Sequence, residues 1–338
     1  VTDDREHTSR ASGPGAETED YAVTGMSRDG RFRVIAVRST VLVEEGRRRH
    51  GCSKTATAAL GRVMTGAVLM AATLDEDQSV TLRVLGGGPA GGVIADSYRA
   101  ADEIRVRGYM GDPGADLPSP SGKLDVGGLV GKLGSIYVTK DLGLKEFYTG
   151  SARLQSGEIG IDLAYYYTVS EQLPSAVSVG VRLGGMPRSR ERRRPAAGWV
   201  TGAGGIMVQV MAGQDAEDAG DTGEAADVVG RVQANLEILG SVSLLIQDGA
   251  TPEELVQAAF VRVLDLQILA RIRARFACRC TRERAISTLA SLGRNDLRRL
   301  ASEQEKTEVR CHFCNEVYVF TGDELREIAE SASSSSAE

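Results

Sequence analysis

The apolar positions of this chain change period more than once. Between Arg31 and Glu45 they alternate with polar ones, at Phe32, Val34 and Ala36 and then at Val41 and Val43, which is the pattern of a half-buried strand. From Ala56 to Leu74 they recur at helical spacing, behind a Ser53 that can cap the helix. Residues 79–85, 103–109, 135–139, 146–154, 176–183 and 204–211 read as strands, with one helix over Glu158–Glu171 between them. From Asp227 the chain turns helical, through Val228, Val232 and Leu236. Thr251, Pro252 and Glu254 open a further helix with a reciprocal cap and a proline in the first turn. Its apolar residues run from Leu255 to Leu269 and occupy more than one face, so something must cover it. This order predicts an α+β protein: a tail over 1–19, a mixed α/β N-terminal domain with antiparallel sheets over 20–213, a helical linker over 214–273, a small C-terminal domain over 274–330 and a loose tail over 331–338.

The C-terminal domain carries the chemistry. Four of the chain's five cysteines form two close pairs, Cys278-Arg279-Cys280 and Cys311-His312-Phe313-Cys314. Thr281 can cap a helix running to Leu292 and stopped by Gly293, and Asn295 can cap a second. The second pair sits on a turn before a short strand, Val317–Phe320, and Thr321 with Glu324 caps a closing helix. Four thiolates brought together by a helical segment meet the demand of a closed tetrahedral Zn2+ site, so Cys278, Cys280, Cys311 and Cys314 are the expected metal ligands. A closed site leaves no position for substrate, which speaks against catalytic zinc. His312 then reads as a loop residue, and Arg279, Arg282, Arg284 and Arg310 as charges that offset the thiolates. The same pairs also suit a thiol switch, because oxidation would remove the ligands and with them the folding energy that a metal supplies. Spacing leaves the static site and the switch both open.

Composition narrows the function classes. The chain has 338 residues, 42% hydrophobic content and a formal net charge of −6, so it can bury a large core and has no general affinity for nucleic acid or an anionic membrane. It contains no apolar run long enough for a membrane span. Clustered cysteines at this density point to a reducing compartment rather than a secreted disulfide scaffold. The tail over 1–19 lacks the apolar core of a secretory signal and is too acidic for a transit peptide. Gly86-Gly87-Gly88-Pro89-Ala90-Gly91 matches a dinucleotide fingerprint in letters, but a returning strand follows where a helix is needed, so a hairpin is expected. Gly122–Lys132 fails as a phosphate loop because Leu133 stands where Ser or Thr should follow the lysine. Cys52 reads as a buried or incidental thiol, Tyr165–Tyr167 as helix packing, and Arg47-Arg48-Arg49-His50 as a solvated basic turn. Exposed loops are expected over the basic residues 188–195 and the acidic residues 214–226.

With these residues in view, the chain resembles the heat-shock protein 33 family, also called 33 kDa chaperonins. The resemblance rests on the cysteine motif with Arg282-Glu283-Arg284 and Cys311-His312-Phe313-Cys314-Asn315-Glu316, and on Gly122–Gly127, Thr139–Gly143, Gly150-Ser151, Ser156–Ile159, Ser170–Gln172, Pro174–Ala176 and Gly205–Met211. It spans residues 21–330, and the tail and the two charged loops look like insertions on the family pattern. It implies a redox-regulated, ATP-independent holdase chaperone and no enzyme. The reduced form, with one Zn2+, is implied to be inactive. Oxidation is implied to form Cys278–Cys280 and Cys311–Cys314 disulfides, release zinc, disorder the zinc domain and linker, and give a homodimer that holds unfolding or aggregation-prone client proteins. Neither nucleic acid nor membrane is an implied partner. The implied compartment is the cytoplasm, with a plastid or mitochondrion as the alternative. The other class of reading is a static zinc ribbon that binds nucleic acid or a protein partner without redox control.

Overall fold

The computed structural model describes residues 19–119, 122–184, 200–211, 228, 230–232, 234–235, 241–260 and 265–331. The expected N-terminal tail up to residue 18, the basic loop and the acidic loop lie outside the described residues.

The first alternating stretch folds as a hairpin of β1 (Tyr21–Ser27) and β2 (Phe32–Arg38). Val41 and Val43, expected to extend the strand, lie instead in helix α1 (Thr40–His50). Two facts explain the change of period. Ser39 N makes a last ladder bond to Ala203 O, and the Thr40 hydroxyl then accepts the Ala203 N–H that a continuing strand would bind. The helix start is then capped from outside, since Ser39 makes no side-chain cap bond while the Asp20 carboxylate accepts from Leu42 N at 2.6 Å. A cap from 22 residues away carries no local signal.

Burial raises the Asp20 carboxyl to about 7, although the α1 backbone N–H groups and Arg38 favour its charged form. A carboxyl whose folded value lies above its ordinary 3.8 stabilises the fold below that ordinary value, and the contribution is lost as pH rises through about 7. Asp20→Asn, which holds the neutral form's shape, should flatten the fall in melting temperature between about pH 4 and pH 7. An unchanged slope would show that Asp20 does not titrate in that window.

Helix α2 (Lys54–Ala71) is capped by Ser53, which accepts from Ala56 N, as expected. All of its residues but Lys54 and Arg62 are buried. A helix so apolar must be surrounded, and it runs under both halves of a ten-stranded sheet. Close packing demands glycine at two points. A Cβ at Gly61 would lie 2.5 Å from Val43 Cγ1, and one at Gly66 would lie 2.7 Å from Leu163 Cδ1.

The sheet is completed by β3 (Ser79–Leu85), β4 (Val93–Arg99), β5 (Glu103–Met110), β6 (Ser135–Asp141), β7 (Tyr148–Arg153), β8 (Ser175–Leu183), β9 (Val200–Val210) and β10 (Leu266–Phe276). Its order is β7-β6-β3-β4-β5-β10-β1-β2-β9-β8. Every pairing is antiparallel except β10 with β5. The two glycine-rich stretches interlock. Gly88 N donates to Val130 O, Ala90 N to Leu129 O and Leu133 N to Gly86 O, around the short helix α3 (Val126–Val130). Amides that a phosphate loop would present to a ligand are therefore engaged with carbonyls. Helix α4 (Gly160–Ser170) buries Tyr166 and Tyr167, the expected packing role, and leaves Tyr165 outward.

Strand β10 corrects the sequence expectation most. Leu266, Ile268 and Leu269 were expected on a helix. They open a strand that pairs with β1 on one side and, from Arg273 onward, with β5 on the other. It is the seam between the two halves of the sheet. The signal is present just beyond the expected helix, where Arg271, Arg273 and Arg275 alternate with Ile272, Ala274 and Phe276. Arg271 lies over the Tyr21 ring at 3.7 Å, and Arg275 pairs with Glu103 at 2.7 Å. The Arg275 hydrogen bond outweighs burial and holds the Glu103 carboxyl down at about 2.

The sheet face opposite α2 is covered by helices α5 (Val242–Gln247) and α6 (Pro252–Ala259), together with Val228 and Val232. Thr251 and Glu254 form the expected reciprocal cap of α6. Beneath them lie Val23, Phe32, Val34, Ala36, Ile206 and Val208, each at most 1% exposed.

Candidate metal centre

Strand β10 runs directly into Cys278-Arg279-Cys280. Thr281 accepts from Arg284 N and caps α7 (Arg282–Ala290), as expected. Helix α8 (Arg294–Glu303) starts from Gly293 at φ +86° rather than from an Asn295 cap, because glycine adopts the left-handed turn without strain. A strand that the sequence reading missed, β11 (Lys306–Arg310), pairs with β12 (Val317–Thr321) and brings the second cysteine pair onto the hairpin's turn. The turn closes through Asn315 N to Cys311 O and Cys311 N to Glu316 O, with Asn315 at φ +61°. The expected Thr321–Glu324 box opens α9 (Gly322–Ser331). The module's own core is small and centres on Leu289, Leu297, Phe320 and Leu325.

The hairpin and the end of β10 bring the four sulfurs of Cys278, Cys280, Cys311 and Cys314 within 4.8 Å of one another. Cys278 Sγ lies 3.7 Å from Cys311 Sγ, and Cys280 Sγ lies 3.3 Å from Cys314 Sγ. Tetrahedral zinc with bonds of about 2.3 Å would set neighbouring sulfurs about 3.8 Å apart, so donor set and spacing fit a closed four-thiolate centre. Tyr318 donates to Cys280 Sγ at 3.3 Å and Arg107 Nη1 to Cys278 Sγ at 3.5 Å. Burial works against the Cys278 thiolate, but Arg107 and the Cys280 backbone N–H outweigh it and bring the group to about 7. Burial pushes Cys280 and Cys314 the other way. Cys52 is buried apart from the cluster and raised to about 12 by that burial, in keeping with an inert thiol.

Several charges sit elsewhere than expected. Arg282 pairs with Glu324 and lies over Phe320, and Arg310 donates to Asn315. Arg279 pairs with Asp96 and lies over Tyr98. The guanidinium that reaches a sulfur comes from strand β5, and nothing in the sequence around Arg107 marks it. The basic stretch Arg47–His50 is likewise no solvated loop. It is the last turn of α1, where cations are favoured by the helix dipole. Arg49 Nη1 donates to Cys314 O at 3.4 Å, His50 Nε2 lies 3.2 Å from Phe313 O, and Asn315 Nδ2 donates to Arg49 O at 2.7 Å. Arg48 alone fits the expectation, at 64% side-chain exposure.

Fold and site together define a mixed α/β protein with a C-terminal four-cysteine module able to hold a metal ion. The family model described as Hsp33 protein matches residues 20–321, and the chain belongs to that family of chaperones. The 33 kDa chaperonin of Symbiobacterium thermophilum is 44% identical over 311 residues, covering 91% of this chain and 97% of the relative. That of Clostridium botulinum strain Hall is 42% identical over 314 residues, covering 92% and 98%. The crystal structure of the 33 kDa chaperonin from Thermotoga maritima superposes with a TM-score of 0.78 at 34% identity, covering 94% of this chain and 99% of that one.

Proposed function

We propose that the chain is a redox-controlled, ATP-independent holdase of the cytoplasm, in which the cysteine cluster decides whether an apolar sheet face is available to unfolding client proteins. The observation that carries this reading is the pairing of two features in one chain: four sulfurs within 4.8 Å, and the face of β1, β2 and β9 closed by separate helices. Bound at Cys278, Cys280, Cys311 and Cys314, zinc supplies cross-linking energy to a module whose own core is small. The cysteines carry the switching chemistry. The Cys278 and Cys280 thiolates, and those of Cys311 and Cys314, each give two electrons per pair to a peroxide and form one disulfide, while the peroxide takes two protons from solvent and leaves as two waters or as alcohol and water. Disulfide sulfurs no longer offer thiolate charge, so the ligand set is lost. The module then loosens at its attachment to β10, and the linker helices that follow β9 lose a fixed end. Uncovering exposes Phe32, Val34, Ile206 and Val208, an apolar strand surface suited to extended, unfolded segments and to a second copy of the chain.

The test follows zinc and client together. Reduced protein should hold about one zinc per chain and leave a thermally unfolding client to aggregate. Peroxide with mild heat should release the zinc and suppress that aggregation in parallel. Zinc release without suppression, or suppression that needs no oxidation, would sink the switch.

A further inference from the structure

The module does not rest on the sheet through its cysteines alone. Strand β5 and the end of α1 hold it from two sides, and one side chain is built into the contact. Arg107 turns Nε and Nη2 toward Asp96 Oδ2, each at 2.8 Å, and Nη1 toward Cys278 Sγ at 3.5 Å. Its guanidinium carbon stands 4.1 Å from the centre of the Phe313 ring, which Tyr109 meets edge-on at 5.0 Å. Asp96 is itself fixed, since its other oxygen accepts from Thr81 at 3.1 Å and its side chain is only 10% exposed. Every edge of the guanidinium is therefore assigned. Phe313 lies inside the second cysteine pair and Cys278 inside the first, so this one side chain touches both halves of the cluster.

We propose that Arg107, anchored on Asp96, is a positioning residue of the cysteine centre, so that the N-terminal sheet sets how tightly the four cysteines hold their metal. The inference rests on reading the cluster as a metal site. Four thiolates around a divalent ion leave two negative charges, and a desolvated guanidinium at one sulfur offsets part of that excess while fixing the sulfur's direction. A lysine would keep the charge but lose the fork to Asp96 and the stack on Phe313.

The test uses the full reduced chain loaded with zinc, competed against a chromogenic chelator. Arg107→Gln should bind zinc about ten-fold or more weakly, the usual effect of removing a residue that orients a ligand. In the cobalt-substituted protein the sulfur-to-metal charge-transfer band should move to lower energy, because an unbonded thiolate gives up its electron more easily. Arg107→Lys should recover part of the affinity. Arg105→Gln, two residues earlier on the same strand and paired with Glu103, should change neither reading. Should Arg107→Gln fail to fold, Arg107→Met keeps an apolar stem against Phe313 without the charge and is expected to weaken zinc in the same direction. Wild-type affinity and an unmoved cobalt band in the folded variant would overturn the proposal. A wild-type chain that holds no zinc would instead overturn the metal reading beneath it.

Discussion

Cys314→Ser should purify with far less than one zinc per chain, and residues 281–331 should exchange their amide hydrogens as an unfolded segment while the sheet stays protected. Cys314 is the most buried of the four sulfur residues, at 2% exposure, and its Sγ lies 3.3 Å from Cys280 Sγ. A serine there offers a poor ligand and leaves three thiolates crowded together. Structural zinc contributes apparent binding energies of about 10 kcal/mol or more, and that energy is folding energy for a small module. The module's own resources are a two-stranded ribbon and a core of a few side chains around Phe320, which do not suffice for an independent fold of this size. The large sheet should survive, because the covering helices and α2 hold cores of their own. Normal protection of α7–α9 in zinc-free Cys314→Ser protein would show that the module folds without metal, and oxidation would then have no structural consequence to trigger.

The second large effect is expected at the covering helices. Val256→Asp should make the chain hold aggregating clients under reducing conditions, with its zinc still bound. Val256 lies on α6 at 1% exposure, packed with Leu255, Ala259 and Phe260 over the strand face. An unpaired carboxylate there costs several kcal/mol, enough to displace a helix of eight residues from its seat. None of Cys278, Cys280, Cys311 and Cys314 belongs to the core beneath α5 and α6, so metal content should be unchanged. The comparison separates the latch from the surface that it guards. Detachment of α5 and α6, seen as lost amide protection, without any client holding would show that the face of β1, β2 and β9 is not where clients bind.

Much of the fold was legible because its determinants are local. The alternation at Phe32, Val34 and Ala36, the Ser53 cap, the Thr251–Glu254 and Thr321–Glu324 boxes and the failed nucleotide loops each depend on residues a few positions apart. The misreadings share the opposite property. Val41 and Val43 alternate as a strand would, yet Asp20 caps them into a helix from across a hairpin. Leu266–Leu269 follow a helical run, yet β1 offers them an open edge to pair with. Arg47–His50 have the composition of a solvated turn, and only the docked module gives Arg49 and His50 their partners.

By itself the sequence determined the four-cysteine motif, the family it marks and the elements on either side of it, because thiol spacing, caps and hydrophobic period are short-range properties of the chain. Only the tertiary structure decided that β10 joins the two halves of the sheet, that α5 and α6 close one of its faces, and that Arg107 of β5 meets Cys278. Those contacts join residues far apart in sequence, where burial and hydrogen-bond satisfaction across the whole sheet, rather than any neighbouring residue, select the partner.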